Sequence, residues 1–342
     1  MEASEPLLTV AIPTFNRAAF LDLCLANLVP QLRGRDDVVE LLVCDNASSD
    51  GTAAVAEKYG AEFPRLRYVR HPADIGSDRN ITRCFELARG RYVLLFGDDD
   101  VLLPGAVGRI LEVLANADHG VVFLRPYGYD EDFVRERPFT WRSAPQVYFD
   151  AQKFFRKVHV YCTFISSNVI NKRLASGPDL AGTIGTNLVQ VRLFCRAALS
   201  AASNVYFNDY LVAAKRNNSG GYDYLRVFVE NLGEALEEAS ANGLLDRTRR
   251  AIGRTIMFRH LPYYVLRMRA EAGFDRASAH ALLRRAYPGS VLYWFCLFPI
   301  VRFPLQLATI WTWGLIFASR LAAGELGRIF SFALFRARRA AR

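Results

Sequence analysis

Short runs with hardly a polar residue, each ending in a polar loop, limit what the first half of this chain can fold into. Leu7 to Ile12, Val38 to Cys44 and Tyr92 to Phe96 are nearly all apolar, and Leu66 to Arg70 reads as a further short strand. Between them lie stretches of helical length: Arg17 to Leu32, opened by Asn16 as a cap, a helix that follows Thr52 and runs to Tyr59, and one through Asn80 and Cys84 to Ala88. Gly105 to Asn116 reads as a further helix and Val121 to Leu124 as a fifth strand. Strands with no polar face, alternating with helices, predict an α/β fold with a mostly parallel sheet covered by helices on both faces. Such sheets bind ligands at the carboxyl ends of their strands. The polar loops Pro13 to Arg17, Asp45 to Thr52 and Gly97 to Asp100 all fall at such ends and are expected to converge on one crevice.

The third of these loops carries three adjacent acids, Asp98, Asp99 and Asp100. Alone, the cluster admits two readings. It could be an acidic turn that caps the next helix. It could also be a site for a hard divalent cation, Mg2+ or Mn2+, which relieves the mutual repulsion of desolvated carboxylates and brings a phosphate with it. Convergence with the other loops favours the cation. The chain has no Walker pattern and no Gly-x-Gly-x-x-Gly after its first strand, so a bound nucleotide would be held by side chains and a metal.

Four motifs in order then resemble one family. Val10 to Arg17 resembles the opening strand of family-2 glycosyltransferases of the GT-A fold, and Asp45 to Thr52 resembles their nucleotide-binding loop. Asp74-Ile75-Gly76, Arg79-Asn80 and Ala88-Arg89-Gly90 resemble the lead into the metal strand, and Gly97 to Asp100 resembles the metal-binding Asp-x-Asp. The resemblance covers about residues 7 to 125. It implies a Rossmann-like GT-A domain and a nucleotide-diphosphate sugar donor. By the same resemblance Asp45, with Asn46 beside it, meets the base; Pro13, Phe15 and Asn16 shape the base and ribose pocket; Arg79 lies near the diphosphate; Asp98 to Asp100 hold ribose and metal, with Asp99 the direct ligand.

Two departures stand out. Gly97 occupies a position where the family has an acid, and the stretch Thr183 to Leu193 lacks the Glu-Asp pair that supplies the family's general base. Asp179 is the nearest acid upstream and the first candidate for that base; Asp130, followed by Glu131 and Asp132, is the second. His159, between Val158 and Val160, is expected to be packed.

Phe164 to Ile170 and Val205 to Val212 read as strands of the acceptor half. The basic loop Lys215 to Tyr222 either closes over a diphosphate with Arg216 at its tip or is a connector. Helices are expected over Leu225 to Asn242 and Arg247 to Arg269. Val291 to Ser319 holds Trp294, Trp311 and Trp313 but is broken by Pro299, Arg302 and Pro304; its uninterrupted part, Phe303 to Ser319, is short beside the ~20 residues of a full span. With six Arg and one Glu from Arg320 to Arg342, it suits an interfacial element on an anionic cytoplasmic membrane surface. A buried helical subdomain or an oligomer interface is the alternative.

The expected division is residues 1–222 catalytic, 223–290 helical, and 291–342 membrane-associating. The N-terminus has neither the basic nor the apolar region of a signal peptide, and the six cysteines have no metal-like or redox-like spacing, which fits reduced thiols in the cytosol. No nucleic-acid partner is expected. The composite expectation is a metal-dependent, inverting glycosyltransferase acting on a lipid-linked or glycan acceptor at the cytoplasmic membrane face, as in surface polysaccharide assembly. The rivals are a non-catalytic nucleotide-sugar-binding scaffold and a soluble homo-oligomeric transferase.

Overall fold

The computed structural model describes residues 5–177, 181–216, 221–270 and 273–322. The chain divides into two units, Met1–Tyr222 with Glu234–Leu245, and Asp223–Gly233 with Asp246–Arg342. The first unit runs β1 (Leu8–Thr14), α1 (Ala18–Leu32), β2 (Val39–Asp45), α2 (Thr52–Glu62), β3 (Leu66–Arg70), α3 (Ser77–Leu87) and β4 (Tyr92–Leu95). There follow β5 (Val101–Leu102), α4 (Ala106–Asn116), β6 (Val121–Tyr129), β7 (Gln146–Tyr148), α5 (Ala151–Val158), β8 (Asn168–Asn171), α6 (Lys172–Ala175), α7 (Val189–Ser200) and β9 (Asn204–Lys215).

One sheet holds all these strands in the order β3-β2-β1-β4-β8-β6-β9-β5, with β7 added to β9. Leu8, Val10 and Ile12 of β1 pack with Leu21, Leu25, Leu28 and Leu32 of α1 and Val107 and Ile110 of α4 in one fully buried core. Burial of each such side chain is worth about 1.5–3 kcal/mol, which is why these runs form the centre of the sheet.

Parallel pairing holds for β3-β2-β1-β4, as expected, and for β6-β9. The other half corrects the expectation of a mostly parallel sheet: β8 runs antiparallel between β4 and β6, and β5 and β7 run antiparallel to β9. A buried strand reads as an apolar run in either direction, so the sequence carries no sign of this. The expected strand from Phe164 is also shorter. Asn168 Nδ2 donates to the carbonyls of Cys162 and Phe164, which winds Ile165–Ser167 into a helical turn before β8 begins. α1 begins one residue late, and Asn16 does not cap it; the Ala18 N–H is capped by Asp50 Oδ2 from the β2 loop at 2.9 Å.

From Asp223 to Ala322 the described residues are mainly helical. α8 (Leu232–Ala241), α9 (Asp246–Thr255), α10 (Leu261–Arg269), α11 (Arg276–Ala286), α12 (Phe298–Arg302) and α13 (Leu305–Ala322) are joined by π-helical turns at Arg226–Asn231, Ile256–His260 and Tyr293–Leu297. Two of these turns directly precede Pro262 and Pro299, where a wider turn relieves the clash of the ring with the carbonyl four residues back. α13 is inside-out. Its buried face carries Ala308, Thr312, Leu315 and Ser319, while Leu307, Ile310 and Phe317 are exposed by 54%, 70% and 53%. Among the described residues no helix is long and apolar enough to cross a membrane. Asp179, residues 217–220 of the basic loop and residues 323–342 of the tail lie outside the described residues.

Candidate active site at the carboxyl ends of β1, β2 and β4

β1 and β2 end side by side, Thr14 opposite Asp45, and their loops are stitched together. Asn16 adopts a left-handed backbone, φ 51°, from which its N–H donates to Ser48 Oγ at 2.8 Å and its Oδ1 accepts from Ser49 N at 2.7 Å. Ala47 also lies at positive φ, 65°, a strained conformation of the kind that collects at functional sites. Asp45 is wholly buried. Its Oδ1 accepts from Ser48 N, and its Oδ2 takes the Tyr68 hydroxyl and lies 3.6 Å from Arg70 Nε. Its oxygens are thereby engaged in shaping the loop. Asn46 is likewise engaged, donating to Asp74 Oδ1 at 2.6 Å and accepting from Ile75 N at 2.9 Å. Phe15, 42% exposed, and Pro13 line the outer side, and Arg79 is exposed on the first turn of α3.

The acid cluster closes the crevice. Asp98 is held by Thr14 Oγ1 at 2.8 Å and by Arg17 Nε at 3.3 Å, and Asp99 by Arg17 Nη2 at 2.7 Å. Asp100 turns the other way: its Oδ1 accepts from Lys215 N at 3.0 Å and its Oδ2 from Ser166 Oγ, which itself accepts from Gly97 N. Burial pushes the Asp98 carboxyl up to about 7 despite the opposing pull of Arg17 and Thr14. Burial, then the charge of Asp99, pushes Asp100 well above the usual carboxylate range.

The three side chains therefore do not converge as one three-ligand centre, and no group of three ligands does among the described residues. The donor chemistry nevertheless suits a hard cation. Two desolvated carboxyls and the more exposed Asp99 repel one another, and Arg17 is the cation that bridges two of them here. Gly97 explains itself on this geometry. A Cβ there would lie 3.0 Å from Asp100 Oδ2 and 3.1 Å from Asp99 Oδ1, so an acid at position 97 would crowd the very oxygens it is meant to join.

The two base candidates fare differently. Asp130 is paired with Arg216 Nη1 at 3.0 Å, and its own N–H, with those of Glu131 and Asp132, is wrapped around the Glu136 carboxylate. Asp130 and Arg216 are thus paired here, and Arg216 Nη1 also lies 3.6 Å from Glu136 Oε2. Arg216 lies against Gly128, where a Cβ would come 2.6 Å from its Nε. In the acid-free stretch, Gly185 and Asn187 both have positive φ, and their N–H groups donate to Asp78 Oδ2 at 2.7 and 3.0 Å. Asp78 is buried and its Oδ1 has no hydrogen-bond partner among the described residues.

Sequence reasoning missed five site residues: Arg17, Thr14, Ser166, Tyr68 and Asp78. Arg17 and Thr14 sat inside a recognised motif without a role. The other three come from elements whose approach only folding decides.

Residues 9–173 match the sequence model of glycosyl transferase family 2. Abequosyltransferase RfbV of Salmonella typhimurium is 27% identical over 198 residues, 54% of this chain and 59% of that protein. The chain spans 36–59% of the length of the first curated relatives it matches. Among solved structures, S. aureus TarS 1-349 in complex with UDP-GlcNAc superposes with a TM-score of 0.59 at 12% identity, covering 93% of this chain and 92% of that one. The mannosyltransferase PcManGT from Pyrobaculum calidifontis, in complex with GDP-Man and Mn2+, gives 0.53 at 17% identity, covering 94% and 88%. These identities carry the fold alone. Fold, motif order and family match agree: residues 9–173, just under half of this chain, match glycosyl transferase family 2, on a GT-A-like fold.

Proposed function

We propose that the protein is a glycosyltransferase that takes a sugar from a nucleotide-diphosphate donor and places it on a lipid-linked or glycan acceptor. The observation that carries this reading is the junction of Thr14, Arg17, Asp98, Asp99, Asp100 and Ser166, which brings the ends of β1 and β4 to one cluster of tuned charge inside a family-2 domain. Arg17 offers positive charge beside the place where a nucleoside diphosphate leaves. Thr14 and Ser166 fix the carboxylates so that little reorganisation accompanies reaction. A Mg2+ or Mn2+ ion held by Asp99 and its neighbours would neutralise the charge on the departing diphosphate. The Mn2+ bound by PcManGT supports this choice of ion.

With Asp130 committed to Arg216, Asp179 is the proposed base for the acceptor hydroxyl in an inverting transfer. The absence of the acid pair from Thr183 to Leu193 favours a second reading, donor binding without turnover.

The acceptor side is proposed to lie on the cytoplasmic membrane face. From Asp246 to Arg342 there are 17 Arg against four acids. The exposed apolar face of α13 is accompanied by Trp294 and Phe295, 47% and 53% exposed. Aromatic and apolar residues with surplus Arg are the composition of an interfacial element.

The deciding experiment is calorimetric titration of UDP-, GDP-, dTDP- and CDP-sugars with and without Mn2+, in the wild type and in Asp99→Asn. The reading expects one donor to bind with Mn2+ and the variant to lose the Mn2+-dependent part with its melting temperature unchanged. Equal affinity with and without Mn2+ in both proteins rejects the metal; no binding of any donor rejects the transferase. Donor binding without transfer to any acceptor favours the second reading.

A further inference from the structure

β6 shifts register on both sides of Arg125, so that Arg125 stands opposite Tyr210 of β9. The bulge carries the guanidinium over the Tyr210 ring, 4.5 Å from its centroid. The last turn of α5 brings Lys157 Nζ to 4.7 Å from the centroid of Tyr206, four residues earlier on β9. Tyr206 stacks on Phe123 at 5.2 Å and Tyr210 packs edge-on against Tyr127 at 5.4 Å, so both platforms are fixed by the core.

What distinguishes this pair is the missing counter-charge. Arg17, Arg109 and Arg216 in the same unit each face a carboxylate. Arg125 gives one N–H to the Asn208 carbonyl and has no acid partner among the described residues. Lys157 has neither a hydrogen bond nor an ion pair there, and the Tyr206 hydroxyl has no hydrogen-bond partner among the described residues. Partial burial, and then the charge of Arg125, pull the Lys157 ammonium below its usual range. Two like charges held together on rigid rings are unfavourable until an anion arrives, and a guanidinium fork, an ammonium and a hydroxyl are together the donor set a phosphate takes.

The patch also has a defined relation to the acid cluster. Four residues along β6 from Arg125, about 13 Å at strand rise, Tyr129 donates its hydroxyl to the Asp99 carbonyl. From Lys157 the chain passes through the turn His159–Thr163 to Ser166, which holds Asp100. A ligand anchored at Arg125 and Lys157 can therefore reach the reacting centre with its far end.

We propose that Arg125, Lys157 and Tyr206 form an anion subsite that holds a phosphate or diphosphate group of the acceptor while its hydroxyl lies at the acid cluster. The proposal rests on the transferase reading for the word acceptor, not for the anion. Inorganic pyrophosphate and a polyprenyl diphosphate in detergent micelles are titrated into the full chain already saturated with UDP or GDP, in the wild type, in Arg125→Ala/Lys157→Ala and in the charge-keeping Arg125→Lys/Lys157→Arg. Both diphosphates should bind the wild type and weaken roughly 10-fold or more in the alanine variant, as befits lost charge-assisted hydrogen bonds. Nucleotide affinity should stay, and the charge-keeping variant should retain most of the anion affinity.

Pyrophosphate binding that is unchanged in the alanine variant, or that the nucleotide competes away, overturns the subsite. A loss for pyrophosphate with none for the polyprenyl diphosphate makes the ligand free phosphate and overturns its assignment to the acceptor. If neither nucleotide binds the wild type, the donor reading fails, while the pyrophosphate titration still decides the subsite.

Discussion

Single residues carry the strain and the tuned charge of this molecule. Ala47 sits at φ 65° in the loop that follows Asp45. A left-handed backbone costs a residue with a Cβ about 1–2 kcal/mol, of which glycine's greater unfolded freedom takes back part. Ala47→Gly should therefore stabilise the protein by about 0.5–1 kcal/mol, read from the urea midpoint; a lower midpoint would mean the Ala47 methyl contributes more than the strain costs. His119 illustrates tuned charge away from the site. Its ring bonds Ser203 Oγ at 2.8 Å, and burial, opposed by Asp118, lowers its pKa below 6.5. The unfolded chain then takes up a proton that the native state refuses, so stability is fully present above about pH 6.5 and falls as the pH drops below it. His119→Gln should flatten the fall in melting temperature below about pH 6.5; an equally steep fall would assign the acid sensitivity to other groups.

At the scale of elements, close approach matters more than propensity. Gly120 opens β6, where a Cβ would lie 2.3 Å from the Ala197 carbonyl oxygen of α7 and 2.6 Å from Ala201 Cβ. Backbone cannot rotate away, so Gly120→Ala should cost about 1–3 kcal/mol, the usual range for overpacking. Gly60, in α2, has open space around its Cβ position, and Gly60→Ala should instead gain close to 1 kcal/mol of helix propensity. Thermal denaturation of the two variants gives opposite signs if packing governs the first and propensity the second. The same contrast explains the cap of α1: Asn16 had the right chemistry, but Asp50 had the position.

At the scale of the whole molecule, charge and apolar surface are unevenly distributed. The chain carries +9 overall, yet residues 1–245 carry −4, so the surplus belongs to the C-terminal part. Combined with the inside-out α13, this predicts that the intact protein binds vesicles containing anionic lipid more tightly than neutral ones, and that binding weakens from low salt to 0.5 M NaCl as screening shortens. Ile310→Asp/Phe317→Asp should reduce vesicle binding in a flotation assay while nucleotide binding persists. A protein that ignores vesicles and elutes as a defined oligomer would assign the exposed face of α13 to a second copy of the chain.

Apolar periodicity and motif order were enough to place β1 to β4, the helices between them and the crevice at their ends, because each depends on local composition and on the rule that ligands meet strand ends. The acid cluster was legible for the same reason. Strand direction was not: β8 inserts antiparallel because of which edge of β4 stands open, and an apolar run looks alike either way. Nor were the roles of Arg17, Ser166 and Asp78, whose partners lie 66 to 109 positions away in sequence. Local sequence determined which residues are buried and where chains of polar groups break the pattern. Tertiary packing decided which charge meets which, because an ion pair depends on distance and burial that no neighbouring residue encodes.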